Sequence, residues 1–201
     1  MLSGWLTDVT PEVEKEFDKL NVSTQSEDIL KLYPEQQQLI GKNFTVANLK
    51  TALQKSPYPY LLHISSHAQF APELKDTFIV TYDAKTLSLD QLEKLIKPHK
   101  YSEEALELLT LDACETAKGD ARAALGLAGV ALKAGARSTL ATLWKVDTEV
   151  AYHLTMSFYQ HQTKSRLSKA KALQEAQKKL LSSQFRHPHF WSAFILIGNW
   201  L

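Results

Sequence analysis

Short apolar runs, each closed by polar or turn residues, recur along the chain from residue 60 onward. Runs of this length with such boundaries predict buried β-strands. They cover residues 60–67, 77–82, 108–114, 137–144 and 191–197. Patterns with helical periodicity lie between most of them, at residues 88–96, 121–133, 148–160 and 168–181. This alternation predicts an α/β fold with a mostly parallel central sheet and helices on both of its faces.

Capping residues mark the ends of the predicted helices. Ser88 and Gln91 have the spacing of a capping box, and Asp147 and Ser168 each precede a helical pattern as N-cap residues. Gly135 follows the small-residue helix predicted over 121–133 and suits its C′ position.

The first forty residues carry the weakest pattern. Thr10 followed by Pro11 predicts a short helix over residues 11–20, whereas residues 21–43 are polar and mixed. No repeat, low-complexity tract or linker divides the chain, so one domain spanning residues 1–201 is expected.

Composition narrows the classes of function. The chain has 201 residues, of which 44% are hydrophobic and 22% charged, and its net charge is only +1. So small a net charge leaves neither nucleic acid nor a membrane surface as the expected main partner. The single cysteine cannot form an internal disulfide, which suits a reducing cytoplasm, and no secretory signal or membrane-spanning run is visible. No cofactor or metal is expected.

Two of the predicted strands end in side chains that can perform nucleophilic chemistry. Residues 60–67 end in His67, and residues 108–114 end in Cys114. Functional groups collect at the carboxyl ends of parallel strands, where an imidazole can activate a thiol. The spacing alone leaves a second interpretation open, in which Cys114 is a small buried hydrophobe and His67 is structural. His63 lies within the apolar run, at an offset that places it on the same face as His67, and is interpreted as a core histidine.

Four ordered motifs resemble those of the CHAT peptidases, a branch of the caspase-like cysteine proteases. They are LHISSHAQF at 62–70, LDACETA at 111–117, AGARS with ATLWKVD at 134–147, and HPHFWSAFILIGNW at 187–200. The resemblance covers roughly residues 40–201. It implies the caspase-like three-layer fold, with Cys114 as nucleophile and His67 as its base. Peptide hydrolysis would then pass through a thioester acyl-enzyme.

The resemblance also implies an oxyanion hole made of two backbone N–H groups, from Cys114 and from the residue after His67. The family has glycine at that second position, whereas this chain has Ala68. The departure is mild if the position has a negative φ, and it puts the second donor in doubt if a positive φ is needed.

Asp112 lies two positions before Cys114 and is expected on the same side of the strand. Its negative charge would raise the pKa of the thiol, so its presence makes sense if it receives a cationic side chain. Metacaspases and clostripain-like relatives use Asp-x-Cys in this way, which implies cleavage after arginine or lysine. In the alternative interpretation, Asp112 only accepts hydrogen bonds from loop N–H groups. Asp147 is a second candidate for the wall of this S1 pocket, or simply the N-cap of the next helix.

Two classes of function follow. In the first, the chain is a cysteine endopeptidase acting on a protein or peptide substrate. In the second, it is an inactive caspase-like module that binds a regulatory partner. CHAT domains usually lie at the C-terminus of longer proteins, often after tetratricopeptide repeats. The resemblance therefore implies control by such a repeat, or by another regulatory protein.

Overall fold

The structure is a computed structural model that describes residues 1–15, 17, 20, 22–55, 58–69, 77–83, 85–97, 105–112, 129 and 135–201. Cys114 and, apart from residue 129, the helix predicted over 121–133 lie outside the described residues.

The described residues form two β-sheets. The strands are β1 (Leu2–Trp5), β2 (Gln37–Ile40), β3 (Leu61–Ser65), β4 (Ala68–Gln69), β5 (Phe78–Val80), β6 (Thr86–Ser88), β7 (Leu108–Asp112), β8 (Ser138–Thr142) and β9 (Phe194–Gly198). A six-stranded sheet has the order β2-β1-β3-β7-β8-β9, and all its neighbours are parallel except β8 and β9. The predicted α/β class with a mostly parallel central sheet is confirmed.

The helices predicted after Ser88, Asp147 and Ser168 begin directly after these capping residues. The described helices are α1 (Pro11–Glu14), α2 (Ser23–Leu32), α3 (Val46–Leu53), α4 (Leu89–Ile96), α5 (Thr148–Thr163), α6 (Lys169–Leu181) and α7 (Pro188–Trp191). Ser88 and Gln91 form the capping box of α4, and the Asp147 and Ser168 side chains cap α5 and α6. Gly135 has a φ of +112°, the conformation expected of a C′ glycine. None of the described helices has the length and apolarity needed to span a membrane.

The first forty residues contribute more than their pattern predicts. The helix expected over 11–20 is described only for Pro11–Glu14, and the segment 21–43 contains α2 and the edge strand β2. Strand β1 is buried at all four positions, so it lacks the alternation of polar and apolar residues that marks a half-exposed strand. Gly4 in β1 packs against Phe44 so closely that an added Cβ would lie 2.3 Å from the ring.

The run at 77–82 forms a strand of a different sheet. Strand β5 pairs antiparallel with β4 and β6 in a separate three-stranded sheet. Antiparallel strands need no helical crossover between them. This segment therefore does not extend the central sheet, although its composition is that of a strand.

The two faces of the central sheet carry separate apolar clusters. One cluster joins the β3 and β7 side chains Leu62, Ile64, Leu109 and Leu111 to α3 and α4. The other joins Leu61 and Leu108 to α2, α5 and α6. Side chains alternate between the faces of a strand, so His63, Thr110 and Asp112 lie on the second face, under α2 and α5. The result is a three-layer arrangement with polar side chains inside one layer.

Candidate active site at the carboxyl edge of the sheet

Strands β3 and β7 stay in register up to the edge where the site is predicted. Ser65 pairs with Asp112, and the Ser66 N–H donates to the carbonyl oxygen of Asp112 at 3.4 Å. His67 follows Ser65 by two positions, and Cys114 follows Asp112 by two positions. Cys114 lies outside the described residues, so its role stays a prediction. The described residues bring His67 and Asp112 to the same edge of the sheet.

His67 is held in place by its backbone and its ring. Its carbonyl oxygen accepts a hydrogen bond from the Val80 N–H at 2.8 Å. Its ring stacks on Phe17 with centroids 5.0 Å apart, and only 6% of the residue is exposed. Phe17 packs against the cluster under α3 and α4.

His63 and His67 contact different clusters. His63 stacks on Trp5, which belongs to the cluster under α2, α5 and α6. The expectation that both histidines share one face stays a prediction, because β3 ends at Ser65 and its alternation does not fix the side chain of His67.

The position of Ala68, which is glycine in related sequences, tolerates alanine. Among the described residues, Arg166 is the only non-glycine residue with a positive φ. Ala68 therefore has a negative φ, a conformation that any L-residue adopts. Ala68 faces Ile79 across the β4–β5 ladder, while Val80 donates to His67. That pattern makes Ala68 and Ile79 a non-hydrogen-bonded pair, and it directs the Ala68 N–H away from β5.

Asp112 is enclosed by neutral side chains from two helices. Gln25 of α2 donates from Nε2 to Oδ2 at 2.9 Å, and Thr155 of α5 donates from Oγ1 to Oδ2 at 3.0 Å. The side chain of Asp112 is 4% exposed. Its described donors are therefore side chains. The alternative interpretation stays a prediction, because the loop after Asp112 lies outside the described residues.

The contact between α5 and β7 follows from matched spacing. Residues four apart on a helix are about 6 Å apart along its axis, and residues two apart on a strand are about 6.6 Å apart. Thr155 and Tyr159 therefore align with Asp112 and Thr110. Tyr159 donates from Oη to Oγ1 of Thr110 at 2.8 Å.

His63 completes this buried group of polar side chains. Its Nδ1 lies 3.1 Å from Oη of Tyr159. Its Nε2 lies 3.7 Å from Oδ2 of Asp112 and has no hydrogen-bond partner, although the residue is fully buried. The predicted core location of His63 is confirmed, but one of its nitrogens is unsatisfied.

Burial shifts the pKa values of Asp112 and His63 in the directions that favour their neutral forms. It raises the pKa of Asp112 to about 7, against the opposing effect of the hydrogen bonds from Thr155 and Gln25. It lowers the pKa of His63 to about 3. Near neutral pH, His63 is therefore uncharged and Asp112 is close to its titration midpoint.

Asp147 is exposed at the start of α5. Its Oδ1 accepts a hydrogen bond from the Glu149 N–H at 2.8 Å, which confirms the predicted N-cap. A contribution to the pocket wall stays a prediction.

Sequence reasoning missed Gln25, Thr155 and Tyr159. A signal existed for the α5 pair, because buried polar side chains such as Thr110 and Asp112 need polar partners on the helix that covers them. Nothing in the polar segment around Gln25 indicates contact with a residue so distant in the chain.

Comparison with known proteins identifies one family. A family model of the CHAT domain matches residues 1–199. The match includes the first forty residues, which supply β1 and β2 of the central sheet. A search of curated proteins finds no match. The described residues contain no group of three or more His, Cys, Asp or Glu side chains placed to hold a metal ion.

Proposed function

The chain belongs to the CHAT domain family, which is associated with caspase-like cysteine peptidases, and we propose that it is a cysteine endopeptidase cleaving after arginine or lysine. Cys114 is the proposed nucleophile and His67 its base. The backbone N–H groups of Cys114 and Ala68 are the proposed oxyanion donors.

The observation that carries this proposal is the register of β3 and β7. Ser65 and Asp112 face each other, and each lies two positions before one member of the proposed dyad. Neighbouring strands are only about 5 Å apart, so residues just beyond such a pair can meet across a cleft. The Ala68 N–H points away from β5, which supports its role as the second oxyanion donor.

The proposed reaction passes two protons through His67, one from the thiol and one from water. His67 takes the thiol proton as sulfur attacks the substrate carbonyl, which gives a tetrahedral oxyanion. The oxyanion collapses to a thioester, and the amine product leaves with the proton from His67. Water, deprotonated by His67, then attacks the thioester, releasing the acid product and restoring the thiol.

Asp112 is the proposed floor of the S1 pocket. The Nε2 of Gln25 already occupies a donor position on Oδ2, similar to one that a guanidinium N–H would take. Because the Asp112 side chain is 4% exposed, an arriving P1 side chain has to displace Gln25. Asp147, also at the carboxyl edge, is the proposed second acidic group of the pocket.

A second candidate function is binding without turnover. It is favoured because other side chains cover the proposed site. Phe17 stacks on His67, and Gln25 and Thr155 enclose Asp112. The partner we propose in either case is a regulatory protein, such as one with tetratricopeptide repeats. It would meet the chain in the reducing cytoplasm that an unpaired cysteine suits.

Turnover of fluorogenic peptides separates the two candidates. The endopeptidase should cleave peptides with arginine or lysine at P1, and Cys114→Ala and His67→Ala should each abolish cleavage. A binding module should cleave no peptide, and its partner affinity should survive Cys114→Ala.

A further inference from the structure

We propose that His63 is a positioning residue of the S1 pocket: when the pocket is empty, Nε2 accepts a hydrogen bond from protonated Asp112, and a cationic P1 side chain binds in exchange for that proton. The inference rests on the proposed function, because it takes Asp112 as the group that receives arginine or lysine.

The hydrogen bonds of Tyr159 determine which nitrogen of His63 carries its proton. The O–H of Tyr159 donates to Thr110, so its oxygen faces Nδ1 of His63 as an acceptor. With that assignment Nδ1 carries the proton of the neutral ring and Nε2 keeps a lone pair, which is the tautomer that the proposal takes.

Oδ2 of Asp112 is the titratable oxygen that lies near this nitrogen among the described residues. Nε2 lies 3.7 Å from Oδ2 of Asp112 and has no hydrogen-bond partner. An ionised Oδ2 would face the lone pair with its own negative charge. If Oδ2 is protonated, it has to move less than about 1 Å closer to Nε2 to donate an O–H···N hydrogen bond to it. That bond would satisfy the buried nitrogen.

Within the part of the chain that the structure describes, the groups facing Asp112 from the packed elements carry no positive charge. From α2 and α5 it meets the neutral side chains of Gln25 and Thr155. On β3 it meets His63, whose pKa burial lowers to about 3. Tyr159 of α5 stays protonated, because burial raises its pKa well above the ordinary value. A guanidinium or ammonium group would supply the missing positive charge.

The exchange conserves charge inside the pocket. Asp112 releases its proton to solvent, the carboxylate remains, and the P1 cation takes the place of the proton. Burial raises the pKa of the free carboxyl to about 7. Affinity for a cationic P1 residue should therefore fall roughly tenfold for each pH unit below about 7, and should level off above it.

A pair of matched peptides isolates this effect from the titration of the dyad. One peptide carries P1 arginine, and the other carries citrulline, its uncharged isostere. The pH dependence of Cys114 and His67 is common to both, so it cancels in the ratio of their kcat/KM values. The ratio should rise with pH to a plateau above about pH 7, and Asp112→Asn should make it flat.

Substitutions at His63 test the positioning role. His63→Gln places an amide N–H near the position of Nε2, where it donates to the carboxylate and favours its ionised form. The midpoint of the ratio should then move down by about one pH unit. Ser138→Ala removes another buried hydrogen bond of the same sheet, to the Asn199 carbonyl, and should leave the midpoint in place. An unchanged midpoint in His63→Gln would overturn the proposal.

Proton release measured by calorimetry makes the test independent of turnover. The Cys114→Ala variant is titrated with the P1 arginine peptide in two buffers of different ionisation enthalpy. About one proton per peptide should be released at pH 6 and almost none at pH 8.5. Binding without proton release at pH 6 would overturn the proton exchange alone. A wild-type chain that neither cleaves nor binds the peptide would contradict the proposed function itself.

Discussion

The side-chain amide of Gln25 donates a 2.9 Å hydrogen bond to Oδ2 of Asp112, which lies 87 positions later in the chain. Helix α2 thereby reaches the carboxyl edge of the sheet from the segment with the weakest sequence pattern. The same contact occupies an oxygen that the proposed substrate cation needs. Gln25 and the P1 side chain should therefore compete for Asp112.

Gln25→Ala should improve binding of basic substrates. Substrate binding to the variant no longer breaks the amide–carboxylate hydrogen bond. The binding free energy should improve by about 1 kcal/mol, which lowers KM roughly fivefold. Measuring KM and kcat at pH 8.5, where Asp112 is ionised, avoids its protonation. Gln38→Ala is the matched control, because Gln38 contacts the Ser26 carbonyl of α2 instead of Asp112. A KM that rises in Gln25→Ala would show that the amide helps to build the pocket.

Asp112→Asn should stabilise the folded chain at alkaline pH. The unfolded chain loses the Asp112 proton near pH 4, whereas the folded chain keeps it until about pH 7. The contribution of this group to the free energy of unfolding therefore falls as the pH rises between these values. Urea unfolding should show the variant to be more stable by a few kcal/mol at pH 8, with the gap closing toward pH 4. Equal gaps at both pH values would contradict the buried-acid account.

Tyr159→Phe should destabilise the fold. It removes the donor to Thr110 and the acceptor for His63, and leaves both partners buried without that bond. Each such loss costs about 1–3 kcal/mol, which chemical denaturation can measure. Tyr33→Phe serves as a control, because Tyr33 meets Tyr159 through an edge-to-ring contact that survives the change. Equal losses in the two variants would argue against the hydrogen-bonded role of Tyr159.

Two substitutions separate the roles of Asp147. Asp147→Ser keeps a side-chain oxygen for the N-cap, whereas Asp147→Ala removes it at a cost of about 1 kcal/mol. Thermal unfolding should therefore distinguish the two variants. Both lack the carboxylate, so both should raise KM for arginine peptides if Asp147 lines the pocket. Unchanged KM values in both would restrict Asp147 to capping α5.

The sequence predicts features whose signals are local. Ser88 with Gln91, and Asp147, mark the starts of α4 and α5 because capping depends on residues only a few positions apart. The apolar runs predicted over 60–67 and 108–114 mark β3 and β7 in the same way.

Features that depend on distant pairing were not predictable. Strand β1 is four residues long and buried on both faces, so only its pairing with β2 and β3 identifies it. Gln25 contacts Asp112 because α2 covers the sheet, a placement that no short motif encodes. The orphan nitrogen of His63 depends likewise on Tyr159, which lies 96 positions away.

Labelling of the intact chain by a peptidyl-arginine chloromethyl ketone tests the central claim most directly. Mass spectrometry should find one adduct, located on Cys114, in the wild-type chain. His67→Ala and Asp112→Asn should label far more slowly, the first because the thiol loses its base and the second because the pocket loses its charge. An absent adduct, or one formed equally fast in Asp112→Asn, would contradict a cysteine endopeptidase that selects basic residues through Asp112.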